Sequence, residues 1–291
     1  MPVPSDRGEE QTVNGGRRRP CWQTALLHLA LIGLSLVFLS PLFWLLSSSF
    51  KTDEQIFEVP PRWLPHPPTL RNYPEGLTFI PFWRYLANTL TICVLVVLGT
   101  LLSCSLVAYS LARLRWRGRD VLFYLLLGTM MLPFQVTMVP LFVVFAKLRW
   151  VDTFLPLTVP AFFGNAFFIF LMRQFFLTIP QELLDAARID GCSDLDIYRR
   201  VVLPLSKPVL ATVGLFAFLG AWNDYLGPLI YLSDEMKYTL SLGLATFSSQ
   251  YGSYPGRLMA VSTVMTLPII VLFFFTQRTF IQGLTTSGLK G

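Results

Sequence analysis

Apolar residues fall in six long runs separated by polar or charged segments, at about 24–47, 87–112, 121–146, 155–178, 209–232 and 258–282. Each reaches the roughly 20 residues that a helix needs to cross about 30 Å of hydrocarbon, where every backbone N–H and C=O must find a partner within its own segment. The pattern predicts an all-α integral membrane protein with six transmembrane helices. Proline interrupts three of the runs: Pro133 and Pro140 in the third, Pro156 and Pro160 in the fourth, Pro268 in the sixth. Each removes a helical hydrogen bond, so these helices are expected to bend.

The segment joining the fourth and fifth runs, TIPQELLDAARIDGCSDLDIYRRVVLPLSKP, is not a short polar turn. Thr178 and Pro180 give a helix start, and Gln181 and Glu182 follow where the positive helix end favours acid. Leu183, Leu184 and Ala187 recur at three and four residues and form one apolar face. Gly191 suits the left-handed position that closes a helix. Ser193 can cap a second short helix, with Asp194 and Asp196 in its first turn and Arg199 or Arg200 at pairing distance from Asp196. Pro204 and Pro208 are expected to end that helix and lead into the next span. The whole reads as helix, glycine turn, helix, outside the membrane. A helix that seeks lipid usually displays bases on its polar face. Here Glu182, Asp185, Asp190, Asp194 and Asp196 outnumber Arg188, Arg199 and Arg200, which favours a docked protein partner over a lipid surface and leaves a solvated connector as the remaining reading.

Composition places the chain in the bilayer. Of 291 residues 53% are hydrophobic and 14% charged, with a mean hydropathy of +0.55. Charge then orients it. Fifteen of the 23 lysines and arginines lie in the N-terminal tail, the second and fourth connections and the C-terminal end. The positive-inside rule puts both termini and the helix–glycine–helix segment in the cytoplasm, and the net charge of +6 belongs to this asymmetry, not to nucleic acid. The first run is too long for a signal-peptide core and has no convincing cleavage site after it, so it is expected to stay as an anchor. Residues 1–22 form a polar tail expected to be disordered. The external stretch between Lys51 and Arg84, with seven prolines in FEVPPRWLPHPPTLRNYPEGLTFIPFW, is expected to be an extended surface loop. Cys93 and Cys104 share a helix face about 16 Å apart, far beyond disulfide reach, and His28 and His66 stand alone, so no disulfide framework and no metal site is expected.

Asp185-Ala186-Ala187, three residues, Gly191, nine residues and Val201-Val202-Leu203-Pro204 resemble the cytoplasmic coupling loop of permease subunits in binding-protein-dependent ABC importers. Asp stands for the family's Glu and Val for its Ile, changes that keep charge sign and branching. SSSFKTDEQIF, AYSLARLRWRGRD, MLPFQVTMVPLF, WNDYLGPLIYL and QRTFIQGLTTSGLKG are similar to the carbohydrate subclass, of the type of the smaller maltose-importer permease, in order and spacing from about residue 24 to the end. The resemblance implies the type I ABC importer permease fold in a bacterial inner membrane: a core over 85–282, preceded by the first span and external loop (23–84), with a coupling loop at 179–207 and a C-terminal tail at 283–291. It implies a pathway for a sugar or sugar derivative shared with a second homologous permease, two cytoplasmic ATPase subunits, and an extracytoplasmic solute-binding protein. Asp185, Ala186, Ala187, Arg188, Asp190 and Gly191 would dock the ATPase, while Val201, Leu203 and Pro204 fix the return into lipid. The tail, through Gln282, Gly283 and Lys290, either reaches the ATPase interface or frays. No G-x-x-x-x-G-K-[ST] occurs, so ATP and Mg²⁺ are expected on the partner ATPase and no cofactor on this chain.

Within the spans Asp224 calls for a reason, since an ionisable group there costs a few kcal/mol. With Trp222, Asn223 and Tyr225 it either faces the pathway, or with Asn223 bonds across a helix interface and holds a break ahead of Gly227 and Pro228. Asn88, Gln135 and Asn165 are weaker candidates of the same kind. An ion-gradient-driven secondary transporter is the alternative from another class, and a non-sugar solute the alternative within the family. An intramembrane enzyme would need H-E-x-x-H, G-x-S-x-G or paired midplane aspartates, all absent.

Overall fold

A computed structural model describes residues 21–249 and 252–288. The chain divides into two units, Met1–Trp44 and Leu45–Gly291. Helix α1 (Cys21–Ser49) carries the first run, with Pro41 inside it. The second unit continues with α2 (Asp53–Ile56), α3 (Asn72–Phe79), α4 (Phe82–Arg113), α5 (Arg119–Thr129), α6 (Phe134–Lys147) and α7 (Leu155–Thr158). A 3₁₀ turn (Val159–Phe163) leads to α8 (Ala166–Phe176), α9 (Gln181–Ile189) and α10 (Asp194–Ile197). A π turn (Tyr198–Val202) leads to α11 (Leu203–Leu205), α12 (Lys207–Trp222), α13 (Leu226–Tyr231), α14 (Leu240–Ala245) and α15 (Pro255–Gly288). The strand content among the described residues is one antiparallel pair, Ser248 opposite Ser253 and Ser249 opposite Gly252.

Four described helices are long and apolar enough to cross a membrane, or up to six if two sharply bent pairs each count as one span. The third run is one such pair. Pro133 cannot donate a backbone hydrogen bond and stands as the N-cap of α6, so α5 and α6 meet at 98° instead of forming a merely kinked helix. The fifth run also departs from its expected 209–232: α12 stops at Trp222 and the helix resumes at Leu226, because the side chains of Asn223 and Asp224 bond open backbone groups at the break. The last helix continues past 282 to Gly288, with no proline in 277–288 to stop it.

The proline-rich stretch is not merely an extended loop. Asn72 donates to the carbonyls of Ser49 (2.9 Å) and Lys51 (2.7 Å), which fixes α3, and Gly76 lets α3 approach α15 so closely that a Cβ there would lie 2.8 Å from Val261. Asp53 accepts from the Gly256 amide at 2.9 Å and so ties α2 to the start of the last helix.

Two apolar cores result. One gathers around the C-terminal half of α4: Cys104, Ala108 and Leu111 with Met172 and Phe176 of α8 and Val213 of α12. The other gathers around its N-terminal half: Phe82, Tyr85 and Cys93 with Trp222, Leu240 and Val261. Both buried cysteines are therefore core residues, and no group of His, Cys, Asp and Glu able to hold a metal occurs among the described residues.

Candidate functional site

The helix–glycine–helix segment is built from local chemistry. After α9 the chain turns at Gly191 with φ +82, a conformation that costs an L side chain energy and glycine almost none. The Gly191 amide donates to Arg188 O and the Cys192 amide to Ala187 O, both at 3.0 Å, the paired bonds of a Schellman closure. Ser193 then starts α10 with a capping box: its hydroxyl accepts from the Asp196 amide while its own amide donates to the Asp196 carboxylate. Donation from the Ser193 hydroxyl and amide holds the Asp196 carboxyl below the usual carboxylate range. Arg200 lies 3.6 Å from Asp196, one of the two expected pairings. Pro204 does not end the second helix. The Leu203 amide reaches back five residues to Tyr198 O, so the helix widens before the ring that cannot donate and carries on to Leu205. The turn into the membrane comes at Ser206, where Asp194–Leu205 and Lys207–Trp222 meet at 79° and Pro208 occupies the first turn of α12.

This elbow has an inner and an outer face. Leu184, Ala187, Ile197, Tyr198 and Val202 are buried in the core around the end of α4. Ala187 is thus turned inward, away from the docking face expected for it, and its small side chain lets α9 lie close; Leu183, expected on the apolar face, is 45% exposed. Three polar residues one helical turn apart on α4, not among the residues expected to be functional, grip the elbow: Ser105 shares a 2.7 Å hydrogen bond with the Tyr198 hydroxyl, Tyr109 donates to Asp194 O at 3.0 Å, and Arg113 donates to Phe176 O, Ile179 O and Gln181 Oε1. Their spacing of four within an apolar run was the available signal. Arg173 of α8 returns the contact, donating to Leu111 O at 3.2 Å and lying 4.0 Å over the Phe123 ring.

The outer face carries Asp185, Ala186, Asp190 and Gly191, all exposed, with Arg188 bridging Asp185 (3.0 Å) and Asp194 (3.6 Å). Ile189, not singled out from the sequence, is 87% exposed there. A large aliphatic side chain held in the open on a helix anchored by its opposite face is a surface shaped for contact. Val201 and Leu203 are half-buried and Pro204 exposed.

At the other end, Asn223 donates to Leu219 O (2.9 Å) and Asp224 accepts from the Gly227 amide (3.0 Å). These bonds are local and hold the helix break, not bonds across a helix interface. Gly227 is required there, because a Cβ would run into the Asp224 carboxylate. Trp222 is fully buried and stacks on Phe218. Asn223 and Tyr225 are exposed beside it.

Residues 104–286 match the family described as the binding-protein-dependent transport system inner membrane component. The chain belongs to this family. The permease is 36% identical to the arabinooligosaccharides transport system permease protein AraQ of Halalkalibacterium halodurans over 91% of its own length and 96% of the relative's. It is 30% identical to the diacetylchitobiose uptake system permease protein DasC of Streptomyces coelicolor, over 93% and 97% of the two chains. Among solved structures it superposes with a TM-score of 0.79 and 27% identity on a chain of a bacterial ABC transporter involved in the import of the acidic polysaccharide alginate, covering 90% of itself and 98% of that chain.

The permease's elbow and outer break both lie inside the family match, and Asn88 lies outside it. Asn88 is buried and donates to Met236 O (2.9 Å) and Tyr238 O (3.0 Å). Asn165 caps α8 by accepting from the amides of Phe167 and Phe168. Both are occupied by structural duties, whereas Gln135 is exposed in the first turn of α6. Gln282 and Gly283 continue α15, and Lys290 lies outside the described residues.

Proposed function

We propose that this permease pairs with a second homologous permease to form the pathway for a sugar or sugar derivative, and that two ATPase subunits, which bind the ATP and Mg²⁺, drive it from the cytoplasm through the elbow. An external solute-binding protein delivers the substrate. The substrate class rests on likeness to permeases named for arabinooligosaccharides and diacetylchitobiose. The observation that carries the motor-driven reading is the elbow's two-sidedness: Leu184 and Ala187 anchor it inward while Ile189, Ala186 and Asp185 stand outward. A push on the outer face reaches α4 through Tyr109 and Tyr198, and α12 through the bend at Ser206. Asn223 and Tyr225, exposed beside the outer break, and Gln135 on α6 are the polar groups proposed to line the pathway, while Trp222 and Asp224 shape the wall behind them.

Ile189→Glu tests the docking. Burying an unpaired carboxylate in an interface costs several kcal/mol. Uptake driven by ATP should fall at least about tenfold and the ATPase should cease to copurify, with the permease pair still assembled in the membrane. Full uptake by that variant, or transport by the permease pair with no ATPase present, would overturn the proposal.

A further inference from the structure

Three open cavities follow one another along α5, each sharing lining residues with the next. The first, about 720 Å³, lies between the second connection and the elbow, with Arg113, Arg115, Trp116 and Arg119 on one side and Arg188 on the other. The second, about 470 Å³, shares Arg115, Trp116 and Arg119 with it and continues past Gly118 to Val121. The third, about 520 Å³, starts at Val121 and follows Tyr124, Leu125, Gly128, Thr129 and Leu132 up the helix. The chemistry changes along this line from guanidinium to hydrocarbon.

At the polar end the positive charge is in surplus. Arg119 is paired with Asp120 (3.1 Å), and Arg188 with Asp185 and Asp194. Arg113 gives its donors to backbone carbonyls and an amide oxygen, which leave its charge uncompensated. Arg115 is exposed and has no hydrogen-bond or ion-pair partner among the described residues. Trp116, 40% exposed, is the residue type that sits at the level of lipid headgroups. At the apolar end Val121, Tyr124, Leu125 and Leu132 are 59–70% exposed. Along α5 from Val121 to Thr129 the groove runs about 12 Å, and Leu132 continues its lining past the helix end. The chain bends away at 98° just where the groove ends.

We propose that an anionic phospholipid occupies this groove, with its phosphate between Arg115 and Arg119, its headgroup against Arg113 and the elbow, and one acyl chain along α5. The charge pattern selects the headgroup, and the groove's length and apolarity select a lipid over a free anion. The site borders α9 and shares Asp185 and Arg188 with its outer face, while Ala186, Ile189, Asp190 and Gly191 lie outside the cavity lining, so the lipid site and the proposed ATPase contact meet at Asp185 and Arg188. A lipid bound there joins the second connection to the elbow and braces the base from which the elbow moves.

Two variants test it independently. Arg115→Ala with Arg119→Ala removes the headgroup contacts. Gly128→Trp places a bulky side chain in the groove lining, where nothing lies within 4 Å of a Cβ. Native mass spectrometry of the full-length permease in detergent, given equal phosphatidylglycerol and phosphatidylcholine, should show selective retention of phosphatidylglycerol. Selectivity should fall by about fivefold for each arginine removed. Gly128→Trp should lose both lipids, with the arginines intact and an unchanged melting temperature. Unchanged retention in both variants would overturn the proposal. So would displacement of the bound species by millimolar inorganic phosphate, which would make the cavity a free-anion site. An arginine variant that keeps its lipid but loses the ATPase would assign the surface to the protein partner instead. If the arginine variant fails to fold, Gly128→Trp still decides the matter.

Discussion

The two cores on α4 are built alike and used differently. Each buries about half of the same 32-residue helix, and in each polar side chains of α4 bond segments far away in the chain: Ser105 and Tyr109 to the elbow at one end, Asn88 and Thr89 to residues 236–240 at the other. Around Trp222, however, the bonds tie several elements to one another, although the buried indole N–H itself has no partner among the described residues. Ser241 donates to Trp222 O, Thr89 accepts from the Leu240 amide, α2 is tied to α15 by the Gly256 amide on Asp53, and α3 is tied to α15 by Arg257 on Glu75. Around Tyr198 they hold one face of the elbow and leave the other bare, with Ile189 outermost. Closed bonding makes a wall, and one-sided bonding makes a lever. The difference lies in which faces are satisfied.

Trp222→Ala probes the wall and has the largest expected effect. Removing a fully buried indole from a close-packed site costs about 3–5 kcal/mol, so the melting temperature of the detergent-solubilised permease should drop sharply and uptake should fall only in proportion to the folded fraction. If uptake vanished while the melting temperature held, Trp222 would belong to the pathway and the contrast between the two ends would fail.

Gly191→Val probes the lever and separates stability from coupling. No atom lies within 4 Å of a Cβ at 191, so sterics with neighbours are not at issue; the cost is the left-handed backbone, about 1–3 kcal/mol for a β-branched residue. The strain falls on the elbow alone. The permease should reach the membrane with nearly normal thermal stability and lose ATP-driven uptake, while Gly191→Asn, which tolerates the same backbone, should retain most of it. Equal loss in both variants would point to contact chemistry at 191 in place of geometry.

That pair of residues, Gly191 and Ser193, was legible in the sequence because a positive φ and a cap are decided by chemistry within four residues. The six apolar runs were legible for the same reason, since length and hydropathy suffice. Asn88 was not: its partners lie 148 and 150 residues further along, and nothing local distinguishes a buried tether from a pathway amide. Asn165 is legible in principle as an asparagine ahead of an apolar helix, but hydropathy runs unbroken from 155 to 178 across Gly164, whose φ of +91 ends the 3₁₀ turn. At Asn223–Tyr225 the Asn-Asp pair signals a break, while the hydropathy of 209–232 does not. Ala187 shows the limit of motif reasoning: helix periodicity puts 184 and 187 on one face, and which face turns inward depends on the hydroxyls of α4.

The smallest expected effect concerns a second closed joint in the wall. Asp152, at φ +62, lies on the connection between the third and fourth runs and reaches the segment after α13. It accepts from Lys237 Nζ at 2.7 Å and from the Ser233 and Asp234 amides, both at 3.0 Å. The Lys237 contact, then the two amides, hold its carboxyl down to about 2, and the same contact raises Lys237. A carboxyl lowered on folding stabilises the fold above its ordinary value near 4 and loses that contribution as pH falls toward about 2; the raised lysine contributes fully below its own ordinary value and adds no pH dependence in that window. Asp152→Asn keeps an oxygen for the two amides and a residue that accepts positive φ, so it removes only the ammonium pairing, a contact that solvent screens and whose net worth is small. Pepsin cleavage around 148–153 should therefore be faster in the variant than in the wild type at pH 4–5, and the two should converge as pH approaches 2. A constant difference across that range would mean that the carboxylate's charge does not hold the joint, and that the wall is closed by backbone contacts alone.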